Sequence, residues 1–505
     1  MFVALLTVVG TVWLYVVVPK GFFPQQETGM LSGSAEAAQD ISFPAMAKLN
    51  RRLVQIVLED PAVATVGSFI GGGGGSSSVN TARLFIALKP PKERNAKGDE
   101  IIARIRKKTA SVQGISLILQ AMQDVRVGTR QSRAQFQYAL QSGDLAELQR
   151  WVPRIVEKLG ELPELKDVSS NLQMRGLQSS VVVDRDAAAR LGVSPAAIDN
   201  TLYDAFGQRQ VSTIYRRYNQ HHVVLEADPA YQLEPSALQK IYVRSITGAQ
   251  VPLASVARFE TRNASLSVNH QGQFPAVTIS FNLTPGVSLG RATDLVEDAT
   301  RELKMPASIR GSFQGTAQVF QASLKNMPLL LVAALFAVYI VLGILYGSLL
   351  HPLTIISTLP SAGVGALLAL MLTGKDLSLV SFIGIILLMG IVKKNAIMMI
   401  DFALDAQRSE GMSPQDAIFK ACIIRFRPIM MTTLAALFGA IPLALGHGAG
   451  SELRQPLGIA VIGGLIVSQI LTLLTTPVIY LALEKLRPSS RTRHPAILAE
   501  PAPMV

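Results

Sequence analysis

The chain has 505 residues, 49% of them hydrophobic and only 16% charged, against about 25% charged in ordinary soluble domains, a balance that leans toward a membrane protein. Its net charge of +12 is scattered through the polar part and crowds near the C-terminus at Arg425, Arg427, Lys485, Arg487, Arg491 and Arg493. There is no basic stripe with interleaved aromatics, zinc finger or helix-turn-helix, which argues against a nucleic-acid partner. One cysteine, Cys422, rules out an intrachain disulfide.

Phe2 to Val18 is apolar and at the short limit for a membrane span. A signal peptide is the alternative, but the segment lacks a basic start, and Pro19-Lys20-Gly21-Phe22-Phe23-Pro24 is not a small-residue cleavage site. The expectation is a transmembrane helix whose start has been cut off.

Residues 20 to 325 read as soluble protein with internal repetition. An amphipathic helix pattern over 44–60 is followed by the strand-like Ala62 to Val66, and 144–162 repeats it before Leu165-Lys166-Asp167-Val168. Residues 101–119 and 290–313 give helix-then-strand twice more, with alternating strands at Ala82–Leu88, Phe136–Leu140, Ser180–Val183 and Ala276–Phe281 between them. Helices that recross a sheet in this way predict ferredoxin-like split βαβ units. Residues 184–262, with a short helix near Ser194–Phe206, read as an insertion in the second repeat. Gly71, Gly72, Gly73, Gly74 and Gly75 predict a mobile loop, because no Gly-Lys-Ser/Thr or helix start follows to make a phosphate cradle.

Five further segments are long and apolar enough to cross a bilayer: 327–347, 353–373, 378–402, 428–446 and 457–483. Loop 403–427 carries Arg408, Lys420, Arg425 and Arg427, and the tail after Glu484 is also basic, so both are expected in the cytoplasm. Alternation then places the 300-residue polar region outside. Within 378–402 lie Lys393-Lys394-Asn395, with Asp401 seven residues beyond Lys394 and therefore on its face. A charge at bilayer depth costs at least ~2.5–3.5 kcal/mol, so it is expected to face a bundle interior and meet an acid. Arg425 and Thr432 share a face of the next helix, which makes Lys394, Asn395, Arg425 and Thr432 a predicted polar seam. Lys393 and Arg427 read as interface anchors. No acidic residue sits mid-span to answer Lys394; Asp401 and Glu484 lie near helix ends. His221-His222 is not a metal spacing, and no nucleophile elbow, HExxH or nucleotide loop is present, so enzyme chemistry is not expected.

Gly390-Ile391-Val392-Lys393-Lys394-Asn395-Ala396-Ile397-Met398-Met399-Ile400-Asp401-Phe402-Ala403 resembles the tenth transmembrane helix of resistance–nodulation–division exporters. Arg425 to Thr433 resembles the start of the eleventh, and Gly448 to Gly458 the loop before the twelfth. The likeness runs from Gly21 to Pro477, and Phe206–Tyr215 with the double lysine points within the family to the paired subunits of MdtABC-type pumps.

The resemblance implies an α-helical membrane bundle of six helices, the first truncated, plus α+β periplasmic porter subdomains of ferredoxin-like repeats with an inserted docking subdomain. The implied divisions are 1–19 for the truncated helix, 27–143 for one porter subdomain, and 144–182 with 264–315 for the other. Residues 183–263 would be the docking subdomain, 327–483 the remaining helices and 484–505 a cytoplasmic tail. It further implies a proton/drug antiporter of the bacterial inner membrane that exports amphiphilic compounds on the proton-motive force, without a cofactor. Expected partners are the N-terminal half of the transporter, other protomers of a homo- or heterotrimer, a periplasmic adaptor and an outer-membrane channel. By position, Lys394, Arg425 and Thr432, with Asn395, match the proton relay, whose acids belong to a helix this chain does not supply. Phe136 and Tyr138 match access-pocket aromatics, Phe85 a deep-pocket aromatic, and Gly71–Gly75 a switch loop, with Phe69 the one aromatic nearby. Strand-core packing is the alternative reading of Phe85 and Phe136. A protein-export accessory of the same superfamily and an inactive fragment remain alternatives for the whole.

Overall fold

A computed structural model describes residues 2–485 apart from 72–77, 126–132, 233, 447 and 449. Helix α1 (Phe2–Val17) leads into a first unit of β1 (Met30–Ala37), α2 (Phe43–Leu58), β2 (Val63–Ile70), β3 (Thr81–Leu88), α3 (Gly98–Thr109) and β4 (Ile115–Ala121). Its antiparallel sheet has the order β2-β3-β1-β4, the split βαβ arrangement the alternating strands predict. Every second residue of each strand faces the helices, so Leu31, Leu84, Ile86 and Leu119 pack on Met46 and Leu53 of α2 and Ile101 and Ile105 of α3. At Gly33 a side chain would press on Leu84 and Leu119 at 3.1 Å, which keeps β1 a glycine-bearing central strand.

The second unit repeats this topology: β5 (Phe136–Gln141), α4 (Leu145–Gly160) and β6 (Leu165–Ser170), then β14 (Phe274–Leu283), α7 (Leu289–Glu302) and β15 (Arg310–Gln314). Its sheet runs β6-β14-β5-β15, with the short β13 (His270–Gln271) also on β14. The division at residue 143 is therefore corrected. Phe136–Gln141 pairs with β14 and β15, not with the first sheet, so the boundary falls between β4 and β5. The helix-then-strand echo concealed the strand that opens each repeat.

Between the halves of the second unit, β7 (Gly176–Val183) and β12 (Ala257–Ala264) form an antiparallel ribbon. It carries α5 (Arg185–Arg190), α6 (Pro195–Phe206), the β8–β9 hairpin (Arg209–Tyr215 and Gln220–Leu225), and β10 (Tyr242–Arg244) paired with β11 (Gln250–Pro252). A small core of Ala188, Ile198, Val243, Leu253 and Val256 holds the insertion together.

The apolar helices are α8 (Thr316–Tyr346), α9 (Leu350–Ile356) with α10 (Leu359–Leu372), α11 (Leu379–Ser409), α12 (Pro414–Leu445) and α13 (Ser451–Glu484). Among the described residues, five such spans, counting Leu350–Leu372 as one, are long and apolar enough to cross a membrane, and α1 is a shorter apolar helix. α8, α11, α12 and α13 have 31 to 34 residues, some 45–50 Å, and so outrun a hydrocarbon core of about 30 Å. α12 runs unbroken through Pro428, where the sequence suggests a start. α10 and α13 approach closely because Gly365, Gly463 and Gly464 meet; a Cβ on Gly463 would come within 2.7 Å of the Gly365 carbonyl.

A backbone strap joins the two parts. Leu377 N–H donates to Pro19 C=O (2.8 Å), Leu379 N–H to Phe22 C=O (3.0 Å), and Gly290 N–H of α7 to Lys20 C=O (3.0 Å). Gly21 is required there because the Asp376 carboxylate lies 2.7 Å from where a Cβ would sit. Burial raises the Asp376 pKa above the usual carboxylate value.

In the first unit, Arg104 donates to both oxygens of the buried Asp60 at 2.6 Å each, and this hydrogen bonding holds the Asp60 carboxyl below its usual range. The depressed folded-state pKa means that this stabilisation is present above the unfolded value of about 3.9 and is lost as pH falls through the folded one. Asp60→Asn should therefore cost about 1–3 kcal/mol at neutral pH. It should also flatten the acid limb of thermal melts followed between about pH 3 and pH 7 in detergent.

Candidate functional site

The polar seam of the bundle is built on three helices. The buried Asn395 of α11 donates through Nδ2 to Thr433 Oγ1 of α12 (3.1 Å) and to Gln469 Oε1 of α13 (3.3 Å). Thr433 donates to the same Gln469 oxygen at 2.7 Å, and Gln469 Nε2 points at Met430 Sδ, 3.3 Å away. One amide oxygen thus collects two donors from two other helices, a closed arrangement that an apolar interior requires of its polar groups.

Lys394 does not join this cluster. Successive helical residues are rotated by about 100°, and with Asn395 turned inward Lys394 is left on the exposed flank of α11. It makes no ion pair among the described residues. Thr432 donates to Ile429 C=O of its own helix at 3.1 Å. Arg425 lies over the Phe402 ring, 5.1 Å from its centroid, and its buried Nε has no partner among the described residues. Of the four residues expected to share a seam, only Asn395 makes a hydrogen bond between helices among the described residues, and its threonine partner is Thr433 rather than Thr432. Gln469 and Thr433 were the residues missed. The signal for Gln469 was its position as the sole side-chain amide within 457–483.

The aromatic expectations divide. Phe69 and Phe85 lie on the face of the first sheet opposite its helices, 59% and 39% exposed, with their rings edge-on at 6.3 Å. Gly71 follows directly, in the left-handed region (φ 63°), while Gly72, Gly73, Gly74 and Gly75 lie outside the described residues. Phe136 and Tyr138 are corrected. They alternate onto the helix-covered face of the second sheet, each 5% exposed, with Phe136 6.0 Å from Phe281 and Tyr138 4.9 Å from Phe313. Burial raises the Tyr138 phenol's pKa. These two rings belong to the core of the second unit.

Two open features flank these groups. Arg106–Asp167 (2.5 Å) and Arg133–Glu36 (2.5 Å) bridge the two sheet units across a cleft, with Asn282 donating to Asp167 at 2.8 Å. Where α8 leaves the second sheet, a groove of about 510 Å³ lies against the start of α11, lined by Gln318, Ser323, Asn326, Met327, Leu330 and Phe382.

The sequence pattern of the AcrB/AcrD/AcrF family matches residues 1–484. The chain belongs to that family. It is 54% identical over 485 residues to multidrug resistance protein MdtC of Klebsiella pneumoniae, a match covering 96% of this chain and 47% of MdtC. It is also 54% identical over 481 residues to MdtC of Escherichia coli K12. The chain thus spans about half the length of the curated relatives it matches. The crystal structure of a heavy metal efflux pump superposes with a TM-score of 0.85 at 24% identity, covering 96% of this chain and 50% of the pump, a likeness of fold. Within the AcrB/AcrD/AcrF family, apolar helices beside sheet-rich units are therefore the shared architecture.

Asn395→Leu should lower the stability of the bundle by about 1–3 kcal/mol, because Gln469 and Thr433 lose a shared partner. Gln469→Leu added to it should cost less than Gln469→Leu alone, a coupling that a double-mutant cycle of melts in detergent reads directly.

Proposed function

We propose that the chain is the part of a proton-driven multidrug exporter that supplies the basic side of its proton relay. The observation that carries this reading is Lys394, presented on the outer flank of α11 while Asn395 beside it is locked inward. An ammonium at that depth is held at a cost of at least ~2.5–3.5 kcal/mol unless an acid meets it. The N-terminal half of the transporter is the proposed source of that acid. Protonating it would release Lys394 and bias the helices toward a second arrangement. Arg425 and Thr432 stand within the same helix pair as candidate relay members. The proton-motive force, with no cofactor, supplies the energy.

In this reading the protein lies in the bacterial inner membrane, with the basic segment 403–427, the end of α11 and the start of α12, in the cytoplasm and both sheet units in the periplasm. The sheet units are the porter subdomains, and the ribbon-borne insertion docks to an outer-membrane channel and a periplasmic adaptor within a homo- or heterotrimer. The exposed pair Phe69–Phe85 and the amide-and-methionine groove at α8 suit molecules with an apolar body and a polar end, which names the substrate class as amphiphilic drugs, dyes and detergents.

The test is proton-driven dye efflux in cells lacking their own pumps. Co-expression with a matching N-terminal half should give efflux, and Lys394→Ala in that pair should abolish it while leaving the amount of protein in the membrane unchanged. Efflux that survives Lys394→Ala would place the relay elsewhere.

A further inference from the structure

α13 packs antiparallel on α9 and α10. Gly365 meets Gly463 and Val467, Gly464 meets the Ala362 carbonyl, and the His351 ring stacks on Tyr480 with centroids 6.2 Å apart. This register sets Ser361 level with Ser468, Thr358 with Thr472, and Thr354 with Thr476. All six hydroxyl residues are buried, none more than 3% exposed.

Four of them turn the hydroxyl hydrogen onto their own helix: Thr354 to Leu350 C=O (3.3 Å), Thr358 to Ile355 C=O (2.7 Å), Ser361 to Thr358 C=O (2.6 Å) and Ser468 to Leu465 C=O (3.4 Å). Their oxygens keep lone pairs free to accept. Thr472 and Thr476 behave differently, for neither hydroxyl has a partner among the described residues. Their neighbour Thr475 takes the back-bond open to a helical threonine, to Leu471 C=O at 2.8 Å. Two hydroxyls that forgo this bond while buried beyond the reach of another chain call for a small polar partner inside the seam.

The seam has polar groups at both ends. Gln469, next to Ser468, holds the Asn395–Thr433 cluster beside Lys394. At the other end Tyr480 Oη accepts from Gln407 Nε2 (2.8 Å), near the basic turn between α11 and α12. Rungs four residues apart are separated by about 6 Å, which two successive O–H···O bonds of about 2.8 Å span.

We infer that the α10–α13 seam holds a file of ordered water and carries the relay's protons from the Asn395–Gln469 cluster to the cytoplasmic face. The inference rests on the antiport reading above. Each hop forms one O–H bond and breaks another, so no electrons leave the file and no further reactant is needed.

The test uses the chain co-produced with a matching N-terminal half, in proteoliposomes loaded with a pH-sensitive dye. The variants are Thr472→Val with Thr476→Val, which keeps the β-branched shape and removes both hydroxyls, and Thr472→Ser with Thr476→Ser. The valine pair should slow proton flux about a hundredfold or more, the low end of what a positioned proton-transfer group contributes, and lower the melting temperature, because bound water loses its partners. The serine pair should retain at least half of the parent's flux. A valine pair that melts higher with flux unchanged would show a dry seam and overturn the inference; unchanged flux with a lower melt would overturn the route while leaving the water. Dye export without proton flux in the parent would remove the antiport reading and the route together, whereas parental flux that survives the valine pair removes the route alone.

Discussion

Hydrocarbon offers no hydrogen bonds, and the apolar helices of this molecule are arranged around that fact. It favours a helical backbone through α8 to α13 and sets a cost on any polar side chain within them that lacks a partner. Asn395, Thr433 and Gln469 meet that demand by sharing one amide oxygen among three helices. The same cluster fixes which flank of α11 is inside, and so leaves Lys394 outside. A charge and its amide neighbour, adjacent in the chain, end up doing opposite things because a helix turns about 100° between them.

Outside the apolar helices the constraint is different. Each sheet unit has one covered face, and the period of two decides what that face contains. Phe85 falls on the open side of β3 and is exposed; Phe136 and Tyr138 fall on the covered side of β5 and fill a core with Phe281 and Phe313. Aromatics with similar spacing in two repeats therefore have unlike roles. The parity of the strand, rather than the residue type, decides between them.

Much of this was legible in the residues. The five spans, the two βαβ repeats and the insertion follow from runs, periods and breaks. The misses have physical causes. β5 went to the wrong unit because a strand's partners lie far along the chain, and nothing local distinguishes an edge of one sheet from the centre of the next. The long helices were read short, since apolar windows register the hydrocarbon and not the turns that project beyond it; α12 hid its first fourteen residues behind Pro428. Spacing by sevens put Lys394, Arg425 and Thr432 on common stripes of their own helices. It carries no information about how those stripes rotate against a neighbour, and the one-residue change from Thr432 to Thr433 as the partner of Asn395 is that rotation.

The strap at residues 19–22 gives the two halves of the molecule a common hinge pin. One short strip of backbone is hydrogen-bonded on one side to the entrance of the lysine-bearing helix and on the other to the first turn of α7. The path from the entrance of α11 to α7 therefore runs through hydrogen-bonded peptide groups and crosses no long linker. The apolar helices and the second sheet unit thus share one short strip of backbone, with Gly21 and Gly290 as the points where the chain segments come close.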